Sequence, residues 1–264
     1  MRRKIKKYKE SITEFIQRVR REDKYANPEF NKIPKYYINL DRSKDRQKHM
    51  LKQFIDYEIE NIEKFKAIDG NDIQSLREGE IDNVKYFNDY PNCTKYELAI
   101  TLSHLECMRK GGEKGVFPFI IMEDDVDFLL INRWKKNIDQ VIEEIPEDCD
   151  ILHLFSHGVL KEGYHLNAYN CGAVCYIVTK QGHDKLLNSL YDSEQNIWNF
   201  CKKTGLDHIL IDDGIKKLYN HYKYYPSLIL QNIENFRSTH GKDFNTNSLW
   251  SGIYKKHIRW YMNN

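Results

Sequence analysis

A short apolar run followed at once by a cluster of carboxylates constrains this chain more than any other feature of its sequence. Residues 117–122 read Phe-Pro-Phe-Ile-Ile-Met, which predicts a buried strand. Four of the next five residues are acidic, namely Glu123, Asp124, Asp125 and Asp127. Carboxylates crowded at the end of a buried strand repel one another, and a nearby cation would relieve that repulsion.

This acidic cluster predicts a metal site. Oxygen ligands favour hard cations such as Mg²⁺ or Mn²⁺, which commonly bridge phosphates. Because alternate residues of an extended segment point the same way, Asp125 is expected to share one ion with Glu123 or with Asp127. The alternative is an exposed acidic turn that begins the next helix, where carboxylates suit the helix dipole. The apolar strand directly before the cluster favours Mn²⁺ or Mg²⁺ binding by Glu123, Asp125 and Asp127.

Strand-like and helix-like stretches alternate through the central part of the chain. Strands are predicted at residues 36–40, 65–68, 117–122, 151–155, 173–179 and 228–231. Helices are predicted at residues 43–57, 95–110, 133–145, 182–191 and 207–219, with a long polar loop at 71–93. This alternation predicts an α/β fold with a mixed, mostly parallel sheet flanked by helices. Ligands of such sheets bind beyond the carboxyl ends of the strands, where Asp41, Asp69 and the acidic cluster fall.

The charge of the 264-residue chain is divided unevenly. Its net charge is +2, but residues 1–24 contain ten Lys or Arg and four Asp or Glu, a net of +6, which leaves −4 on the remaining 240 residues. A mildly acidic body argues against a general nucleic-acid-binding protein.

Targeting features and cysteine spacing predict a reducing, cytoplasmic setting. No run reaches the roughly 18 apolar residues of a membrane span, and no apolar segment follows the basic start as in a signal peptide. The six cysteines form no CxxC pair, which favours buried free thiols.

Both ends of the chain are predicted to lie outside the main domain, which we place at residues 34–240. Residues 1–30 form a basic amphipathic helical arm, whose apolar positions repeat at intervals of three and four: Ile5, Tyr8, Ile12, Phe15 and Val19. The arm packs on the body, self-associates or contacts a membrane surface peripherally. Residues 241–264 form a C-terminal amphipathic segment. Deletion of residues 1–27 is expected to leave activity largely intact.

Two further constellations could carry chemistry. Glu97 and His104 share one face of the helix at 95–110, and Ser103 adjoins that face. Each has a structural alternative. Glu97 equally fits a capping box with Thr94, and His104 equally fits a histidine buried in the core. That helix is expected to end at Gly111-Gly112. Asp212-Asp213 follows an apolar stretch and provides either a general base or a carboxylate at a helix start.

Several motifs, taken in order, resemble glycosyltransferase family 25, which includes lipooligosaccharide and collagen galactosyltransferases. The resemblance spans roughly residues 36–238. Its motifs are Tyr37-Ile38-Asn39-Leu40-Asp41-Arg42-Ser43 with Arg46 and Met50, Ala67-Ile68-Asp69-Gly70, Glu97-Leu98-Ala99 with Leu102-Ser103-His104-Leu105, Ile120 to Val126, Gly172-Ala173 with Tyr176-Ile177-Val178, Asp212-Asp213, and Gln231 to Ser238.

The resemblance implies a GT-A-type, Rossmann-like single domain that uses a UDP-sugar and Mn²⁺. It implies donor-binding roles for Asn39, Arg42, Arg46, Asp69, Ser103, His104 and Asp124. Asp212 or Asp213 would be the catalytic base, in an inverting transfer of galactose or glucose to a saccharide or protein hydroxyl. The alternatives are a catalytically silent nucleotide-sugar-binding or scaffold protein on the same fold, and a metal-dependent phosphohydrolase or nuclease.

Overall fold

The computed structural model describes residues 10–22, 28–72, 94–156, 161–166, 172–194, 197–199, 211–232 and 247–263. Its helices are α1 (Ile12–Glu22), α2 (Pro28–Lys32), α3 (Lys44–Asp56), α4 (Lys95–Glu113), α5 (Ile138–Glu143), α6 (Lys180–Leu190), α7 (Ile211–Leu218) and α8 (Asn247–Asn263). Its strands are β1 (Lys35–Asn39), β2 (Ile62–Lys66), β3 (Phe119–Glu123), β4 (Val126–Asp127), β5 (Ile151–His153), β6 (Gly163–Leu166), β7 (Cys175–Val178), β8 (Tyr191–Asp192), β9 (Ile197–Trp198), β10 (His221–Tyr225) and β11 (Leu230–Gln231).

A seven-stranded mixed sheet forms the centre of the molecule, in the order β2-β1-β3-β7-β5-β10-β6. Strand β1 pairs in parallel with β2 and β3, and β5 pairs in parallel with β10. Strand β7 is antiparallel to β3 and β5, and β6 is antiparallel to β10. Five of the seven strands therefore run in one direction, which confirms the predicted mixed, mostly parallel sheet.

Helices cover both faces of this sheet and enclose two apolar cores. Leu102 of α4 and Ile215 of α7 belong to the core on one face, with Tyr176 from the sheet. Met50 of α3 and Val141 of α5 belong to the core on the other face. Strands buried on both faces read as continuous apolar runs, which is why β3 and β7 were predictable from the sequence.

Several predicted boundaries were wrong. Helix α4 does not end at Gly111-Gly112 but runs to Glu113. The two glycines allow close packing: a Cβ at Gly111 would lie 2.8 Å from the Phe119 ring, and one at Gly112 would lie 2.1 Å from His183. Strand β2 begins three residues earlier than predicted. The predicted strand at 228–231 is reduced to β11, which pairs with β4 in a separate two-stranded ribbon.

Other predictions were incomplete or lie outside the described residues. Strands β6 and β10 were not predicted. The sequence of β10 is polar and does not resemble a buried strand, yet its Lys223 is fully buried. Residues 73–93 of the predicted loop and 207–210 of the predicted helix are outside the described ranges. Within the described ranges, Cys107, Cys149 and Cys175 are buried free thiols as predicted.

The terminal helices α1 and α8 pack together against the body. Phe15 and Val19 of α1 are 2% and 0% exposed, in an apolar cluster with Ile258 of α8 and with Leu129 and Leu130. Of the three alternatives for the arm, the structure thus shows packing on the body for α1, whereas Ile5 and Tyr8 of the predicted arm lie outside the described residues. Removing residues 1–27 would uncover this cluster, so we now expect that deletion to destabilise the protein. Within the described ranges, every helix is too short or too polar to cross a membrane.

Replacing Gly182 with alanine is expected to destabilise the fold strongly. Gly182 lies in the first turn of α6, where an added Cβ would lie 2.2 Å from the Asp150 carbonyl oxygen. Because that neighbour is backbone, the strand or the helix must move, at a cost of about 3 kcal/mol. Thermal unfolding should show a midpoint lower by roughly 5–10 °C. Gly252→Ala in α8 is the control, since nothing lies within 4 Å of its added Cβ, and a similar loss there would contradict the explanation.

Candidate active site

The acidic cluster lies where β3 ends at the carboxyl edge of the sheet. Glu123 is the last residue of β3, Asp124 and Asp125 form a turn, and Asp127 lies in β4. Strand β1 runs beside β3 in parallel, with Ile38 opposite Glu123. This register brings the end of β1 to the acidic turn, as expected for a parallel sheet.

Asp124 is held by two of the residues predicted to bind the donor. Asn39 Nδ2 donates to Asp124 Oδ2 at 2.7 Å, and Arg46 Nη1 donates to Asp124 Oδ1 at 2.5 Å. Arg46 also lies 3.6 Å from Asp125 Oδ2. Burial lowers the Arg46 pKa, but the neighbouring carboxylates of Asp125 and Asp124 more than offset this and raise it. Arg46 is therefore a fixed positive charge beside the acidic turn.

Asp125 and Glu123 carry charge that the protein compensates poorly. Asp125 Oδ2 accepts a 3.3 Å hydrogen bond from Gln231, whereas Asp125 Oδ1 is buried without a hydrogen-bond partner in the described part of the chain. Burial, and then repulsion by Glu123, raises the Asp125 pKa to about 7. Burial and Asp124 likewise raise the Glu123 pKa to about 7. Such shifts at a strand end are typical of functional sites.

Asp212, at the start of α7, is linked to the end of β3 through residues 173 and 174, because it bonds Ala173 and the neighbouring Val174 O accepts the Glu123 N–H. Its Oδ1 accepts a 2.7 Å hydrogen bond from the Ala173 backbone N–H. Burial, with a further contribution from Glu123, raises the Asp212 pKa to about 6, while His104 acts in the opposite direction. The Asp213 side chain lies outside the described residues. The structure thus brings Asp212, one of the two predicted bases, to the acidic cluster.

His104 is a buried, neutral member of the site. Its Nε2 lies 3.6 Å from Glu123 Oε1, and its Nδ1 lies 2.8 Å from the Tyr176 hydroxyl. Burial lowers the His104 pKa to about 4, so the ring carries no charge at neutral pH. His104 therefore contributes hydrogen bonding and shape, since a proton-transfer role near neutrality would need a pKa closer to 7.

The remaining predicted donor residues lie in the segments after β1 and β2, namely Arg42 and Asp69, and in α4, namely Ser103. Ser103 Oγ accepts from the Ile68 N–H at 2.9 Å and donates to Ala99 O at 2.6 Å, which ties the segment after β2 to α4. Arg42 donates to Asp69 at 2.6 and 3.1 Å, and this bond lowers the Asp69 pKa.

Glu97 forms the capping box. It accepts the Thr94 N–H at 2.7 Å, while Thr94 Oγ1 accepts the Glu97 N–H at 3.2 Å. The capping interpretation of Glu97 is confirmed. Asp41, two residues after the end of β1, is exposed and accepts from Lys64 at 2.7 Å.

Residues that the sequence did not indicate also contact the acidic segment. Gln53 of α3 donates to Val126 O at 2.6 Å and accepts the Phe128 N–H at 2.8 Å. Gln53 could have been found from the sequence, because it is a polar residue on the apolar face of α3, between Met50 and Phe54. Tyr254 is another such residue, and its distance in sequence gave no comparable signal. Gln231, the first residue of the last family motif, donates to Asp125 Oδ2 at 3.3 Å.

The residues present fit a divalent cation only if the substrate completes its coordination. Among the described residues, no three His, Cys, Asp or Glu side chains form a group that could hold a metal. The predicted set of Glu123, Asp125 and Asp127 therefore does not converge by itself. Asp125 Oδ1 and Asn39 Oδ1 are nevertheless buried acceptor oxygens without donors in the described ranges. Mg²⁺ is commonly held by one or two carboxylates together with substrate phosphates and water.

A mixed α/β sheet with clustered carboxylates at its carboxyl edge is consistent with a Rossmann-like glycosyltransferase domain. The model of the family described as glycosyltransferase family 25 (LPS biosynthesis protein) matches residues 32–210, which is more than half of the chain. The chain belongs to glycosyltransferase family 25.

A mouse (Mus musculus) protein is similar to part of this chain. It is procollagen galactosyltransferase 2, which is 28% identical over 127 residues, covering 45% of this chain and 20% of that protein. The match thus spans about a fifth of the length of that curated relative.

Proposed function

We propose that the protein transfers galactose or glucose from a UDP-sugar to a hydroxyl group of a saccharide or protein, with Mn²⁺ or Mg²⁺ and with inversion at the anomeric carbon. The observation that carries the proposal is the pair of poorly compensated carboxylates, Glu123 and Asp125, with Asp212 close by. Family membership and the relative's name as a galactosyltransferase support the reaction class.

On the donor side, Glu123 and Asp125 would hold the cation and Arg46 would face the diphosphate. When bound, the cation would act as a Lewis acid that stabilises negative charge on the departing UDP. Arg46 is fixed by Asp124, so its charge is already oriented before the donor binds. A preorganised charge needs no rearrangement as the leaving group becomes more negative. Asn39 keeps Asp124 in place and thereby positions Arg46.

On the acceptor side, Asp212 would act as the general base. The acceptor oxygen attacks the anomeric carbon, its proton passes to Asp212, and the bond to UDP breaks with its electron pair leaving on the diphosphate. A pKa of about 6 leaves Asp212 ionised at neutral pH and makes it a stronger base than an ordinary aspartate. The Ala173 N–H bond to Oδ1 fixes the carboxylate orientation.

Donor profiling of the purified protein tests the proposal. We expect UDP release from UDP-galactose or UDP-glucose that requires added Mn²⁺ or Mg²⁺, stops with a chelator, and increases with a sugar acceptor. Proton NMR of the product should show a β-linkage. Binding of UDP-sugars without turnover would instead indicate a silent nucleotide-sugar-binding protein. Phosphate release from simple esters would indicate a phosphohydrolase.

A further inference from the structure

The C-terminal helix α8 contacts the acidic segment although it lies outside the family match, which ends at residue 210. The Tyr254 hydroxyl donates to Asp127 Oδ2 at 3.3 Å. The other oxygen, Asp127 Oδ1, accepts the Leu129 N–H at 2.9 Å. Asp127 is only 6% exposed; its bond to the Leu129 N–H is buried and its bond to Tyr254 is partly buried. Both oxygens of this carboxylate are therefore bonded within the protein.

We propose that Asp127 and Tyr254 form a positioning pair, through which α8 sets the geometry of the acidic turn. In this assignment Asp127 is not a metal ligand. It joins the end of the turn to α8, so that Asp125 two residues earlier is held in place. The inference rests on the proposed function, in which Glu123 and Asp125 hold the cation.

The backbone around Asp127 is fixed from the other side. Gln53 bonds Val126 O and the Phe128 N–H, the groups that flank Asp127. Strand β11 pairs with β4, and the Asn232 N–H donates to Asp125 O at 2.6 Å. The Asp127 side chain adds a polar contact with α8 to the apolar contacts that Leu129 and Leu130 make with that helix. Partners in the outer shell of metal sites orient the ligands in this way, and their loss typically weakens metal binding about 10–100-fold.

Helix α8 is itself held firmly enough to act as a support. Its Ile258 is fully buried with Leu129 and Leu130 in the cluster that also contains Phe15. Its His257 Nε2 lies 2.7 Å from Ser156 O. A helix anchored by such contacts transmits the position of its side chains to whatever they bond.

Three variants separate a positioning role from a ligand role. Asp127→Asn keeps an oxygen for the Leu129 N–H and an amide that can bond the Tyr254 hydroxyl, but it removes the charge. Asp127→Ala removes both bonds, and Tyr254→Phe removes one. Two readouts are measured: hydrogen exchange of residues 126–131 in metal-free protein, and Mn²⁺ affinity with UDP present by electron paramagnetic resonance.

Tyr254→Phe and Asp127→Ala are expected to speed exchange and weaken Mn²⁺ affinity, each about tenfold, because a hydrogen bond to a charged group is lost. Asp127→Asn should stay within about threefold of the wild type in both readouts, because its two bonds remain. Tyr261→Phe is the matched control, since its hydroxyl donates to Ser227 O at 3.1 Å from the same helix, and it should change neither readout.

A hundredfold loss of Mn²⁺ affinity in Asp127→Asn would show a ligand role and overturn the positioning pair. Unchanged exchange in Tyr254→Phe would overturn it as well. If the wild type bound no Mn²⁺ with UDP, the proposed function would fail, and the exchange rates of the metal-free variants would still decide whether the pair exists.

Discussion

Asp125→Asn is expected to reduce sugar transfer by about a thousandfold or more, because it removes one of two carboxylates that would hold the cation against the UDP leaving group. The amide keeps the shape of the side chain and an oxygen for the Gln231 hydrogen bond, so the fold should persist. The measurement is the rate of UDP release at saturating Mn²⁺ and donor. Asp56→Asn, at an exposed helix end, is the control and should retain the wild-type rate.

The same substitution should stabilise the metal-free protein at neutral pH. The Asp125 pKa is raised from 3.8 to about 7 by burial, so between these values the folded state keeps a proton that the unfolded state releases. The free energy of unfolding contributed by this group therefore falls as pH rises from about 4 to 7. Asparagine cannot ionise and avoids this loss. The unfolding midpoint of Asp125→Asn should exceed that of the wild type at pH 8, and the difference should shrink towards pH 4.

Asp212→Asn is expected to lower kcat by about a thousandfold while UDP binding in the presence of Mn²⁺ stays unchanged. Asparagine retains an oxygen for the Ala173 N–H, so the start of α7 should keep its position. In the wild type, activity should fall as pH drops through about 6, where the Asp212 carboxylate takes up a proton. The residual activity of the variant should lack this acidic limb.

Asp213→Asn, at the adjacent residue, is the matched control for Asp212→Asn. It should retain most of the wild-type kcat, because the structure places Asp212 beside Glu123 and His104. A thousandfold loss in Asp213→Asn with little change in Asp212→Asn would contradict the assignment of the base.

The sheet and the acidic strand end were predictable because they depend on local patterns. The apolar run of β3 is followed directly by Glu123, so the carboxylates lie at the sheet edge whichever strands pair with β3. A parallel β1 then brings Asn39 to the same edge, as the 2.7 Å bond to Asp124 shows. The resemblance to the family pointed to Arg46 and to Asp212 or Asp213, and the structure brings Arg46 and Asp212 to the acidic cluster.

Contacts between distant segments were not predictable from the sequence. Tyr254 reaches Asp127 across 127 positions, and nothing in either local pattern indicates the pairing. The Gly111-Gly112 pair was misread because glycine at a helix end and glycine at a close packing contact look alike in sequence. Lysine side chains are rarely buried, so the full burial of Lys223 in β10 was not expected from the sequence.

Calorimetric titration of UDP into the wild-type protein and Asp125→Asn, with Mn²⁺ and with a chelator, tests whether the acidic cluster holds a cation that binds the diphosphate. We expect the wild type to bind UDP tightly only with Mn²⁺, and Asp125→Asn to lose this Mn²⁺-dependent binding while it remains folded. UDP binding of equal strength with the chelator, or unchanged in Asp125→Asn, would contradict a cation held by the acidic cluster.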